Sequence, residues 1–161
     1  NSASALGPVR VGDELRVYYS GRTTDHKSRP HVGAIGLGTL RLDGFYSLDA
    51  GAAAGRLTTR PVRLVHDRLR VNADARGGEI RVEIQDQSGR PIAPYTLENC
   101  EPLTTDSVRH VVRWKGAPDL LPLAGKSVRL LFVMKQSELY AFWTGEERAW
   151  HTPDTTTWLP E

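Results

Sequence analysis

Two pairs of adjacent carboxylates and one thiol are the residues whose types first invite a search for catalysis. The pairs are Asp13-Glu14 and Glu146-Glu147. Neighbours in a strand point to opposite faces, so neither pair can readily flank one reacting bond. Cys100, the single cysteine, has no basic neighbour close in sequence that would lower its pKa, and is expected to be a buried spectator. No catalytic residue is predicted.

The polar stretch between residues 22 and 31 contains the side chains that come nearest to a metal site. Asp25, His26 and His31 are ligand types that zinc accepts. Two of them are adjacent, however, and no carboxylate-rich surroundings are visible that would orient them. A glycine-rich phosphate loop after a strand is also missing. The sequence therefore predicts neither a metal nor a cofactor.

Aromatic residues offer a route to carbohydrate binding, because a flat ring can stack on the apolar face of a sugar. Trp150 and Trp158 lie in the turn-rich segment after Gly145 and are the candidates for exposure. The structural alternative is that both indoles pack back onto the fold, and the sequence does not choose between the two.

Composition and charge exclude several classes of partner. The 161 residues carry 21 basic and 19 acidic side chains, a net charge of +2, without the dense positive field that binds nucleic acid. The longest apolar stretch, residues 128–143, contains Lys135, Gln136 and Glu138, so a membrane span is not predicted. The compartment stays unknown, with a secreted or periplasmic location slightly favoured.

Alternation with a period of two dominates the chain and predicts strands. Residues 68–74 and 79–85 each place apolar side chains on one face, and the Ala75-Arg76-Gly77-Gly78 stretch between them predicts an antiparallel hairpin. Asp43-Gly44 predicts a second hairpin, between residues 35–42 and 45–48. Residues 127–135 and 138–144 are apolar on both faces, as expected of central strands. The expected fold is almost entirely β.

Strand number and composition divide the chain into four parts. Residues 1–10 are expected to be a linker or a remnant of cloning, residues 11–50 hold about three strands, residues 51–145 form an antiparallel β-sandwich, and residues 146–161 are a turn-rich tail. The sandwich is expected to be of the jelly-roll or concanavalin-like kind.

Short motifs in a fixed order resemble the end of the five-bladed β-propeller glycosidases, the group that includes families 32 and 43. Tyr18-Tyr19-Ser20-Gly21, then Ile35-Gly36-Leu37-Gly38 and the Asp43-Gly44 turn look like the last propeller blade. The motifs Leu57-Thr58-Thr59-Arg60-Pro61 and Leu123-Ala124-Gly125-Lys126 are similar to the C-terminal β-sandwich of invertase-like proteins.

The resemblance implies both a sugar-facing loop and a missing active site. A blade arrangement would place Arg22, Asp25 and His26 on the face where propeller glycosidases bind sugar, although a solvated loop is the simpler alternative. The paired catalytic carboxylates of the family belong to earlier blades. Cys100-Glu101-Pro102 differs in residue order from the Glu-Cys-Pro motif of family 32 and is not equated with it.

The expected function is that of a non-catalytic C-terminal module that stabilises a propeller and binds carbohydrate only as a secondary role. One alternative is an independent lectin-like domain. Another is part of a glycosidase whose active site is completed by missing blades. Unpaired strand edges in residues 15–48 predict that this region folds onto the sandwich or pairs with another copy, so the expected partners are propeller blades, a second copy and carbohydrate.

Overall fold

The computed structural model describes residues 3–4, 7–22, 27, 29 and 32–145. Within these residues the only helical element is a short 3-10 turn, η1 (Leu121–Leu123), so the prediction of an all-β fold is confirmed for this part of the chain. The strands are β1 (Ala3–Ser4), β2 (Val9–Val11), β3 (Glu14–Arg22), β4 (Gly33–Arg41), β5 (Leu48–Ala50), β6 (Gly55–Thr58), β7 (Val62–Arg63), β8 (Leu69–Asp74), β9 (Glu79–Gln85), β10 (Asp106–Val111), β11 (Ser127–Lys135) and β12 (Ser137–Thr144).

These strands form three antiparallel sheets. The first sheet has β3 in the centre, with β4 along one edge and both β1 and β2 along the other. The second sheet has the order β10-β8-β12-β5. The third sheet has β11 in the centre, with β9 along one edge and β6 and β7 along the other.

The second and third sheets share one buried cluster. Its strand residues alternate along the chain with outward-facing ones, so each sheet turns an apolar face towards the other. The indole nitrogen of Trp114 donates to the Val82 carbonyl at 2.8 Å, and the ring meets Tyr95 edge-on at 5.6 Å. The cluster consists of Leu64, Leu69, Val71, Ala73, Ala75, Ile80, Val82, Ile84, Tyr95, Cys100, Leu103, Val112, Trp114, Leu120, Leu123, Val128, Leu130, Phe132, Met134 and Leu139.

The predicted hairpin of residues 68–74 and 79–85 is wrong. β8 pairs with β10 and β12, whereas β9 pairs with β11 in the other sheet. Two adjacent alternating segments bury their apolar faces equally well side by side or on facing sheets, and here they face each other. Gly78 allows the chain to cross from β8 in the second sheet to β9 in the third, because any side chain at this position would collide with the backbone carbonyl of Lys135.

The Asp43-Gly44 turn forms, but the hairpin predicted around it is also wrong. Asp43 has a φ of 52°, and the Gly44 N–H donates to the Arg41 carbonyl at 3.0 Å. The following strand, β5, pairs with β12 rather than with β4. The turn therefore passes the chain from the first sheet to the second.

The two stretches predicted to be central do lie in the middle of sheets. β11 has neighbours along both edges, and β12 lies between β8 and β5. Within the described ranges, no helix has the length and hydropathy needed to cross a membrane.

Candidate functional site: the first sheet and its joint

Of the residues proposed from sequence to bind carbohydrate, one lies in the described structure. Arg22 ends β3 and is exposed. Asp25, His26, Trp150 and Trp158 lie outside the described residues, so their assignment stays a prediction.

Arg41, at the end of β4, is the main polar contact between the first and second sheets. Its Nε donates to Oδ1 of Asn72 at 2.5 Å, and its Nη1 donates to Oδ1 of Asp106, also at 2.5 Å. Nη2 reaches the Ala73 carbonyl at 3.2 Å. The guanidinium lies 4.8 Å from the centre of the Tyr140 ring, within the range of a cation–π contact. One side chain thus contacts three elements of the second sheet.

Asn72 completes this contact from the other side. Although it is only 1% exposed, its Nδ2 donates to the Leu42 carbonyl at 2.6 Å while its Oδ1 accepts from Arg41. Arg109 of β10 also reaches across and bonds the Asp13 carboxylate. We call this set of contacts the joint; it consists of Asp13, Arg41, Leu42, Asn72, Asp106 and Arg109.

Four carboxylates lie in register beside the joint, one on each strand of the second sheet. Asp106 is paired with Asp74, Asp74 with Glu138, and Glu138 with Asp49. Side chains that are paired in an antiparallel ladder share one face, and like charges placed directly opposite destabilise a sheet. This acidic row therefore requires nearby cations.

Two arginines provide that compensation. Arg76 bonds Asp74 at 2.5 Å and lies 3.7 Å from Asp106, while Arg41 bonds Asp106 from the first sheet. The hydrogen bond from Arg76 lowers the pKa of Asp74 below its ordinary value. The lowered pKa favours the ionised form of Asp74, the form that pairs with the Arg76 guanidinium.

Tyr140 links the row to Arg41. Its hydroxyl donates to Glu138, and this bond, together with burial, raises the pKa of Tyr140 to about 12. The phenol therefore keeps its proton at neutral pH and serves as a donor to Glu138. The ring beneath Arg41 stays neutral and available for the cation–π contact.

Two open clefts flank these groups. One, of about 330 Å³, lies between Glu14 and Thr39 of the first sheet and Asp106 of the second. The other, of about 370 Å³, lies along Asp49, Asp74 and Glu138. No group of three or more metal-ligating side chains able to hold an ion occurs in the described part of the chain.

One face of the first sheet carries several large, exposed apolar side chains at the end away from Arg41. Register places Tyr18 opposite Leu37 and Ser20 opposite Ile35, so the three large side chains share that face. Ile35 is 83% exposed and Leu37 48%. Val9 and Val11 of β2 lie on the same side, since they pair with Arg16 and Glu14. Large exposed apolar side chains grouped on one face, as Tyr18, Ile35 and Leu37 are, are characteristic of interaction sites.

The outer edge of β4 has no paired strand among the described residues. The Leu42 N–H donates to the Asp13 carbonyl, and hydrogen-bonded pairs alternate along an antiparallel ladder. The backbone groups of Ile35 and Leu37 therefore point away from β3. β4 contains no proline, and its first charged residue is Arg41 at its end. Residues 33–40 thus carry neither the proline nor the charges that often protect an edge from strand addition.

Cys100 is buried, as predicted. Its Sγ accepts the Val82 N–H at 3.2 Å, and burial raises the pKa of the thiol. A protonated, enclosed thiol is a poor nucleophile, so this residue belongs to the core.

Sequence reasoning did not single out Arg41, Asn72 or Asp106. Asn72 stands at a position that alternation assigns to a solvated face, and nothing in the flanking sequence indicates that another sheet covers it. The only local signal was an amide between valine and alanine in a strand, which is a weak one.

Comparisons with family models, curated proteins and solved structures gave no match to this chain.

Proposed function

We propose that this chain is a non-catalytic accessory module of a carbohydrate-active, glycoside-hydrolase-like protein, and that its first sheet is the surface through which it joins a β-propeller. The observation that carries this proposal is the combination of an open β4 edge with an exposed apolar face around Ile35, Leu37 and Tyr18. A strand edge recruits further strands, and an apolar sheet face packs against another sheet.

The arrangement of the blade-like motifs supports the same proposal. Tyr18-Tyr19-Ser20-Gly21 and Ile35-Gly36-Leu37-Gly38 lie on β3 and β4, which pair along their length. The second and third sheets with their shared cluster support a β-sandwich of the jelly-roll or concanavalin-like kind. Such a sandwich would cover and stabilise the propeller.

A glycan array combined with calorimetry and glycosidase assays tests this role. A stabilising module is expected to release no sugar-dependent heat and to hydrolyse no glycoside. Turnover by the purified chain that survives repeated purification would overturn the proposal. Heat that saturates with a defined glycan would favour the second candidate below.

The second candidate is a carbohydrate-binding domain, and exposed rings favour it. Tyr46 is 88% exposed and Phe45 58%, in the segment that leads from the first sheet to the second. Rings held in solvent can stack on a sugar face. Replacing Tyr46 with Ala would then abolish glycan binding, whereas replacing the buried-face residue Tyr95 would act only through stability.

A further inference from the structure

The joint differs in kind from the buried cluster. Its contacts are hydrogen bonds and ion pairs of Arg41, Asn72, Asp106, Asp13 and Arg109. The cluster consists of hydrophobic side chains without a charged group, and its described members come from outside the first sheet. Leu15 and Leu42 are buried at the joint end of the first sheet, but neither belongs to the cluster. The first sheet is therefore held by these polar contacts together with the burial of Leu15 and Leu42, apart from the cluster that joins the other two sheets.

The charged groups described around Asp106 come from both sheets. Arg41 approaches from β4, and Arg76 from the turn after β8. Asp74 lies beside Asp106 in the acidic row, and Glu138 and Asp49 extend the row. If Arg76 were the only cation beside the four carboxylates, the row would carry an excess of negative charge. Arg41 is therefore attracted by the whole row as well as by Asp106, its direct partner.

Asp13 has a simpler setting. Arg109 of β10 bonds its carboxylate, and Glu14 is its neighbour in the chain and lines the same cleft. Glu14 in turn lies 3.6 Å from Arg16. Both ends of the joint thus combine carboxylates that take up protons in acid with guanidinium groups that stay charged.

We infer that the joint is an acid-sensitive latch: when its carboxylates and those of the acidic row are protonated, residues 7–44 separate from the second sheet while the buried cluster stays folded. This inference does not depend on the proposed function. The Arg41 side chain is only 19% exposed, and protonation of the carboxylates leaves its charge without a counter-charge. Water then solvates the guanidinium better than the joint does.

The direction of the pH dependence follows from the carboxylates. A carboxyl group whose pKa is lower in the folded protein stabilises it above the unfolded pKa, and this stabilisation is lost as the pH falls through the folded pKa. Arg76 lowers the pKa of Asp74 from 3.8, so the row keeps part of its charge until the pH lies below that value. Release is therefore expected below about pH 4.

NMR on the uniformly labelled chain tests the latch between pH 7 and pH 3. At pH 7, the Arg41 side-chain protons should show the ring-current shift of Tyr140, and amides of β3 and β4 should tumble with those of β9 and β11. In acid the ring-current shift should be lost, and β3 and β4 should tumble separately or lose their structure while the Ile84 and Leu130 amides keep their native shifts.

Neutral variants give the matched comparison. Asp106→Asn should raise the pH at the midpoint of release, because Arg41 then lacks its direct carboxylate partner at every pH. Asp86→Asn, in a turn where Asp86 bonds Ser88 and Arg90 away from the joint, should leave it unchanged. Release of both variants at the same pH would overturn the latch. The latch would also be overturned if the joint and the buried cluster were lost at the same pH, or if both persisted at pH 3. Should Asp106→Asn fail to fold, the wild-type titration decides alone.

Discussion

Arg41 of the first sheet and Asn72 of the second are joined by a 2.5 Å hydrogen bond in a place that solvent barely reaches, since Asn72 is 1% exposed. The amide uses both its ends, because it also donates to the Leu42 carbonyl. Water cannot substitute for either partner there, so removal of the amide leaves a charged donor and a carbonyl unsatisfied.

Asn72→Ala is expected to weaken the joint by about 2 kcal/mol, because hydrogen bonds to charged groups contribute about 1.5–3 kcal/mol. Hydrogen exchange at pH 7 measures this as faster exchange of first-sheet amides, with the Ile84 amide unaffected. Asn99→Ala, which removes a bond to the neutral Pro94 carbonyl, serves as the control. Unchanged exchange in β3 and β4 would contradict the assignment.

Gly78→Ala is expected to destabilise the crossing between the second and third sheets. The added Cβ would lie 2.8 Å from the Lys135 carbonyl carbon, a backbone atom that cannot move aside. Overpacking of this kind costs about 1–3 kcal/mol, measured by urea unfolding.

Gly51→Ala is the matched control for this substitution, because no atom lies within 4 Å of its Cβ position. Its free energy of unfolding should be unchanged or higher by up to about 1 kcal/mol, since the unfolded chain loses freedom. If both variants unfolded at the same urea concentration, the close approach between Gly78 and Lys135 would not contribute to the free energy of unfolding.

The open edge of β4 is expected to cause concentration-dependent association of the chain. Leu37→Lys should reduce this association, because a charge on an edge strand opposes strand addition. Sedimentation velocity over a concentration series measures it, and Gln87→Lys, the same charge in an exposed turn, is the control. A wild-type chain that stays monomeric throughout the series would rule out this role for the edge.

Tyr140 is expected to lose its proton only near pH 12, because its hydroxyl donates to Glu138. Its raised pKa stabilises the fold fully below about pH 10, the ordinary tyrosine pKa, and this contribution is lost between there and pH 12. NMR titration of ring-labelled tyrosine measures the value. Glu138→Gln should move it down towards 10; no movement would mean that the hydrogen bond is not the cause.

The sequence predicted the kind of structure better than the partners of each strand. Alternation in residues 68–74 and 79–85 correctly indicated two strands, and the apolar stretches at 127–135 and 138–144 correctly indicated central ones. The predicted strand pairing failed because alternation specifies which side of a strand is buried. It does not specify whether the next alternating segment pairs with that strand or lies in the facing sheet. The sequence predicts Gly78 in a turn; the structure shows that it is also needed for the close approach of the backbone to Lys135.

The joint could not be predicted for a related reason. Asp74 stands at a position typical of a solvated face, Asp106 lies in no segment whose pattern is informative, and their register with Glu138 depends on strands far apart in the chain. Arg41 closed an alternating strand and carried no distinguishing context. Only the pairing of β8 with both β10 and β12 brings these charges together, and no local pattern encodes that pairing.

The central positions of β11 and β12 also bear on synthesis at the ribosome. β9 and β6 meet through β11, and β8 meets β5 through β12, although both central strands come last among the described strands. A nascent chain that has emerged only as far as residue 120 holds β6, β7 and β9 without the strand that joins them, and holds β5 without its link to β8. Cooperative closure of the second and third sheets must therefore await residue 144, and until then the first sheet and the β8–β10 pair are the described strands that already have partners.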